Sequence, residues 1–228
     1  FAAYDLDQLA DAVANEARKA RDMRRDVERT ARLASDVEHR ADEAARFAAD
    51  IPMGQVKDGH SRYRATNGKF YAGQVITRSS WLSSDITIKS NGYGVSIVEV
   101  GDYRGEIVKC AFKMDVGCVG PFVKFYADRS GTTWKRIESE WEEGKLIHGP
   151  AKLYLLSGEI IYAPVTSKEN NDQSMTSSYS GSGVIEFPDG RRYEGQLNGQ
   201  GGNGLGVFWN ADGSLIRQGR WVDGNAVD

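Results

Sequence analysis

The 228-residue chain is poor in the residues that most often carry chemistry, with two cysteines, three histidines and no apolar run longer than a few residues. The lack of a long apolar run excludes a transmembrane helix. Cys110 and Cys118 do not form a Cys-x-x-Cys pair, and none of His39, His60 and His148 has a second ligand at zinc spacing, so no metal site is expected. There is no Walker lysine and no Gly-x-Ser-x-Gly elbow. Gly199-Gln-Gly201-Gly-Asn-Gly204 matches the dinucleotide fingerprint in letters. It joins strand to strand, however, and leaves no helix N-terminus to hold a pyrophosphate. Neither sign of charge dominates, with 29 Lys+Arg against 32 Asp+Glu and no long basic run, so a nucleic-acid partner is not expected. Five prolines are too few for collagen, and 10% aromatics argue against disorder. The expectation is a protein without cofactor and without catalytic activity.

Glycine and proline are missing altogether from residues 1–50, which hold 14 alanines instead. All 26 glycines fall from Gly54 onward, about 15% of that stretch and roughly twice the ordinary share. Two unlike parts follow: a long amphipathic helix over 1–51 and a β-rich part over 67–228, with 52–66 as a linker. With Leu6 opening a heptad, position a reads Leu6, Val13, Ala20, Val27, Ala34, Ala41 and Ala48. Position d reads Leu9, Glu16, Met23, Thr30, Val37, Ala44 and Ile51. A stripe of period 3.5 sustained this long points to a coiled coil or a bundle helix. Pro52 and Gly54 stop it. A rod of roughly 70 Å, at 1.5 Å per residue, cannot bury its own stripe. Leu6, Leu9, Val13, Met23, Val27, Val37 and Ile51 are therefore expected to contact a protein partner or a second copy. The alternative is a helix folded back across its own C-terminal part. The basic cluster Arg18, Lys19, Arg21, Arg24, Arg25, Arg29 and Arg32 reads as a solvated helix face or, alternatively, as a patch for anionic lipid.

From Gly54 onward the chain repeats. The clearest units are Gly181-Ser-Gly183 leading through Asp189-Gly190 to Tyr193-Glu-Gly195, and Gly204-Leu-Gly206 leading through Asp212-Gly213 to Trp221. Looser ones begin at Gly92-Tyr-Gly94, Gly120 and Gly149, with a partial unit at Asn67-Gly68-Lys-Phe-Tyr71-Ala-Gly73-Gln. Each unit is a β-hairpin in the making. Asp-Gly and Asn-Gly supply the positive φ of a two-residue turn, and the flanking residues alternate in polarity. A single hairpin is not stable alone, but a stack of them is.

These motifs resemble the MORN repeat family, whose pattern is Tyr-x-Gly followed by Gly-x-Gly, an Asp-Gly turn and an aromatic. The resemblance covers about 160 C-terminal residues and is strongest over Gly181–Gly224. It implies an elongated single-layer antiparallel sheet of stacked hairpins, an α+β architecture once the helix is added. It further implies a scaffold, docking or assembly role, with membrane lipid as the alternative partner. On such a sheet one face is left open to show its aromatics. Tyr103, Trp134, Trp141, Tyr193, Trp209 and Trp221 are the partner-binding candidates there, with cross-strand packing as the competing role. Trp81 belongs to the same set. The polar insertion near 163–182 reads as a flexible loop or, alternatively, as a partner-recognition loop on one edge of the array. Cys110 and Cys118 are either a disulfide, which suits an oxidising compartment, or two small buried apolar residues, which suits the cytosol. A start at Phe1 implies a removed leader or a fragment and leaves the compartment open.

Overall fold

A computed structural model describes residues 2–79, 86–114, 116–127, 133–141, 148–169 and 175–227. The alanine-rich opening forms one helix, α1 (Ala2–Ala49), and antiparallel hairpin strands follow, an α+β fold. The chain divides into two compact units, Ala31–Lys145 and Phe1–Thr30 with Leu146–Asp228.

In the first unit β1 (Val56–Lys57), β2 (His60–Arg64), β3 (Lys69–Ser79), β4 (Ile86–Val98), β5 (Ile107–Lys113), β6 (Gly117–Phe125) and β7 (Trp134–Trp141) each pair antiparallel with the next. Side chains alternate between the two faces, so one cross-strand row reads Arg62, Ala72, Val95, Lys109, Val123, Glu138. The C-terminal part of α1 lies on that face. Glu38 accepts from Lys109 Nζ at 3.0 Å and from Arg136 Nη2 at 2.7 Å, and Asp42 accepts from Lys109 at 2.8 Å. Ala34, Ala41, Ala44 and Ala48 are buried, as are Ala72, Val95 and Val123. Cys110 of β5 and Cys118 of β6 form a disulfide, with Cα atoms 5.9 Å apart.

The second unit holds β8 (His148–Leu155), β9 (Ile160–Glu169), β10 (Met175–Tyr179), β11 (Gly181–Glu186), β12 (Arg192–Asn198), β13 (Gly201–Trp209), β14 (Leu215–Val222) and β15 (Asn225–Val227). β9 pairs with β8, and on its other side with β11 near its start and with β10 farther along. The helix-side row here is Lys152, Tyr162, Val184, Glu194, Val207, Gln218. Ala20 and Val27 pack on Tyr162 and Val184, while Val13 and Ala17 pack on Val207. Alanine contributes little area of its own, but its small size lets the helix axis come close enough for the valines to be fully covered. Two ion pairs and a hydrogen bond fix the register: Arg21 to Glu194 at 2.9 Å, Arg24 to Glu186 at 2.7 Å, and the Ser182 hydroxyl donating to Glu16.

Three expectations are corrected. The apolar stripe of α1 is not left for another molecule, because its own sheet covers it; Val13, Val27 and Ile51 are at most 6% exposed, and only Leu6, at 66%, stays open. Leu9 and Met23 pack against the same clusters, and Val37 is half-buried. The folded-back helix prevails because the valines and the arginine-to-glutamate pairs find matched partners on the sheet. Residues 52–66 are not a linker but carry β1 and β2, turned by Asp58-Gly59, whose φ angles of 50° and 72° are those a tight hairpin turn needs. The stretch 163–182 contains paired backbone: Val165↔Tyr179 through Glu169↔Met175 continue the ladder, helped by the strand-favouring Val165, Thr166, Thr176 and Tyr179. Residues 170–174 and Trp81 lie outside the described residues.

Candidate functional site

With one face of the strands in each unit under α1, the functional candidates lie on the other face. In the second unit that face carries the row Leu153, Ile161, Ile185, Tyr193, Phe208, Arg217. Its organising residue is Tyr193, which is buried and lies flat over glycines of the next strand. A Cβ at Gly206 would stand 2.2 Å from the Tyr193 hydroxyl, and one at Gly202 would stand 2.8 Å from the ring. The hydroxyl donates to the Gln196 carbonyl at 3.0 Å. Gln196 sits in a β-bulge, and its Oε1 accepts from the Leu205 amide at 2.9 Å. Trp221 meets the Tyr193 ring edge-on at 5.3 Å, and its indole donates to the Gly206 carbonyl at 3.2 Å.

The first unit repeats this assembly. Tyr71 lies over Gly94, where a Cβ would stand 2.4 Å from its hydroxyl. That hydroxyl donates to the Gln74 carbonyl at 2.7 Å, Gln74 occupies a bulge, and its Oε1 accepts from the Tyr93 amide at 2.8 Å. Phe112 takes the place of Trp221, edge-on at 5.1 Å. Burial pushes the phenols of Tyr71 and Tyr193 well above the usual tyrosine range. The Tyr-x-Gly-Gln and Gly-x-Gly pieces are therefore one device, in which a tyrosine fills the space that two glycines leave and a glutamine ties the bulge.

Two concave sites flank these tyrosines. In the second unit a cavity of about 320 Å³ has Ile161, Ile185, Phe187, Phe208 and Trp221 in its walls and Glu159 and Tyr179 as its polar side. In the first unit a cavity of about 410 Å³ is lined by Tyr63, Tyr71, Phe112, Cys118 and Trp141. Among the aromatics predicted from sequence, Tyr193 and Trp221 form the floor of the first of these and Trp141, edge-on to Phe122 at 5.3 Å, borders the second. The rest are placed otherwise. Trp209 faces the helix in the Val13–Ala17–Val207 cluster, because alternation puts it opposite Phe208. Trp134 packs edge-on against Tyr126 at 5.7 Å. Tyr103 lies, 39% exposed, between β4 and β5 rather than in a strand. Sequence reasoning did not single out Tyr71, Phe112, Phe187, Phe208 or Glu159. The matching Tyr-Ala-Gly-Gln at 71–74 and Tyr-Glu-Gly-Gln at 193–196 is the signal that finds the first of these.

On the helix, Arg21 and Arg24 are engaged by the sheet, while Arg25 and Arg29 pair with Asp22 and Asp26 one turn earlier. Among the described residues no His, Cys, Asp and Glu are grouped to hold a metal ion, and no helix is long and apolar enough to cross a membrane. Comparison with family models and with curated proteins finds no match to this chain.

Proposed function

We propose that this protein is a non-enzymatic docking module, a structural or assembly subunit of MORN-like hairpins that binds a protein partner on the sheet face opposite α1. The observation that carries the proposal is the asymmetry of the two faces. The helix side is filled by alanines, valines and matched ion pairs, whereas the other side carries the two concave cavities lined largely by aromatic and aliphatic side chains. Concave apolar surface of this kind is where binding energy concentrates in recognition domains. The reading also favours protein over anionic lipid, since four arginines of the helical cluster already face carboxylates. A photo-crosslinking residue placed at Phe187, with a control at Arg25, tests it in extract from the native source. Discrete polypeptide adducts at Phe187 and none at Arg25 are expected. Adducts confined to Arg25, or to lipid, would overturn the proposal.

A further inference from the structure

The cavity of the second unit has a chemical asymmetry of its own. Its walls are aliphatic and aromatic, and Glu159 is the one charged side chain among its described lining residues. Glu159 follows the Ser157-Gly158 turn and shares the face opposite α1 with Ile161 by strand alternation. Its Oε2 is buried and, among the described residues, has no hydrogen-bonding partner. A buried carboxylate oxygen without a donor is costly to a fold, and such a group persists where a ligand supplies what the fold does not. The negative charge is felt inside the cavity: burial first, and then Glu159, hold the Tyr179 phenol above its usual range. Nearby rings already accept a cation. The Arg191 guanidinium lies 5.4 Å from the Phe208 ring and 5.9 Å from Phe187, its charge matched by Asp189 at 2.7 Å.

We propose that this cavity receives a lysine side chain of the protein partner, with the methylene stem along Ile161, Ile185 and Trp221 and the ammonium on Glu159. The inference rests on the docking reading of this face and adds the chemistry of the group that anchors there. A long apolar stem ending in a compact cation is what an apolar wall with one unpartnered carboxylate oxygen complements. An apolar side chain would leave the carboxylate unpartnered, and an acidic one would oppose it.

The test uses the full ¹⁵N-labelled chain and two probes, Nα-acetyl-lysine methylamide and Nα-acetyl-norleucine methylamide, which differ by the ammonium alone. Titration to millimolar probe should shift the Gly201 and Gly202 amides and the Trp221 indole. The lysine probe should bind roughly tenfold or more tightly than the norleucine probe, the size expected of a hydrogen bond to a charged group. Glu159→Gln should erase that preference and leave norleucine binding as it was. Equal or tighter norleucine binding overturns the inference and leaves the docking face standing. A lysine preference that survives Glu159→Gln overturns it too. If neither probe shifts these signals the lysine site is wrong, and crosslinking from Phe187 decides separately whether the face docks anything. Thermal unfolding guards against a purely structural Glu159. Glu159→Gln should keep or raise Tm, and a drop of more than about 5 °C would assign the carboxylate to holding the fold.

Discussion

The Tyr193 device makes a sharp prediction at Gly206, whose φ is not positive, so that alanine there suffers from space alone. The added Cβ would stand 2.2 Å from the Tyr193 hydroxyl, 2.4 Å from Cζ and 2.6 Å from Cε2. No rotation of the hydroxyl relieves contacts to the ring carbons, so the ring has to move. Moving it strains a packed site by about 1–3 kcal/mol. It also loosens the hydrogen bond to the Gln196 carbonyl, about 1 kcal/mol, and the edge-on contact with Trp221, about 0.5–1.5 kcal/mol. The expected loss for Gly206→Ala is about 3 kcal/mol, a fall in Tm of roughly 6–12 °C for a chain of this size. Urea midpoints and calorimetry measure it. Gly199→Ala is the control, since its nearest neighbour is the Ser178 Cβ at 3.9 Å; it should lie between neutral and about 1 kcal/mol more stable. A Tyr193→Ala background isolates the cause. There Gly206→Ala should change stability by less than about 0.5 kcal/mol, giving a coupling of about 2–3 kcal/mol. A Gly206→Ala loss of under about 0.5 kcal/mol in the wild-type background, or an undiminished loss beside Ala at 193, would refute the steric account.

Because Tyr71 and Gly94 repeat the geometry, Gly94→Ala should destabilise by a similar amount, about 3 kcal/mol in the same urea assay, and an effect confined to one unit would deny the equivalence. The Glu38 carboxylate holds both Lys109 and Arg136 with only 16% of its side chain exposed, so Glu38→Gln should lower stability by about 1–3 kcal/mol; Arg25→Ala, with its side chain 78% exposed, should change it by a few tenths at most. Burial raises the folded-state pKa of Tyr71 and Tyr193 above the unfolded value, so their contribution is intact below about pH 10 and declines as pH rises past it. Tyrosinate absorbance near 295 nm, followed by alkaline titration with circular dichroism, should show these phenols ionising together with unfolding.

The two-part organisation was legible because each part has a strong local signal. An uninterrupted alanine-rich heptad pattern without glycine or proline permits little but a helix, and Asp-Gly turns between alternating residues permit little but hairpins. The aromatic floor was legible in part: Tyr193 and Trp221 lie on it, but Trp209 does not. The β-bulge at Gly195–Leu197 and the irregularity between Phe208 and Trp209 make face assignment by counting alone unsafe. The first Tyr-x-Gly-Gln unit was harder to align. Its Gly-x-Gly begins 18 residues beyond Gln74, whereas the second begins 8 beyond Gln196, and the long β3–β4 hairpin stretches the interval.

What the sequence determined by itself is local: a helix with one small-residue stripe, and hairpins whose glycines fall at turns and beside tyrosines. Those choices follow from backbone sterics within a few residues. Which molecule covers the stripe was decided only by tertiary structure. A period of 3.5 fits another helix as well as it fits a sheet, and the choice falls to contacts between residues more than a hundred positions apart, such as Arg21 with Glu194 and Val13 with Val207. Once the helix takes one face of the strands, the other face keeps the apolar cavity and the unpartnered Oε2 of Glu159.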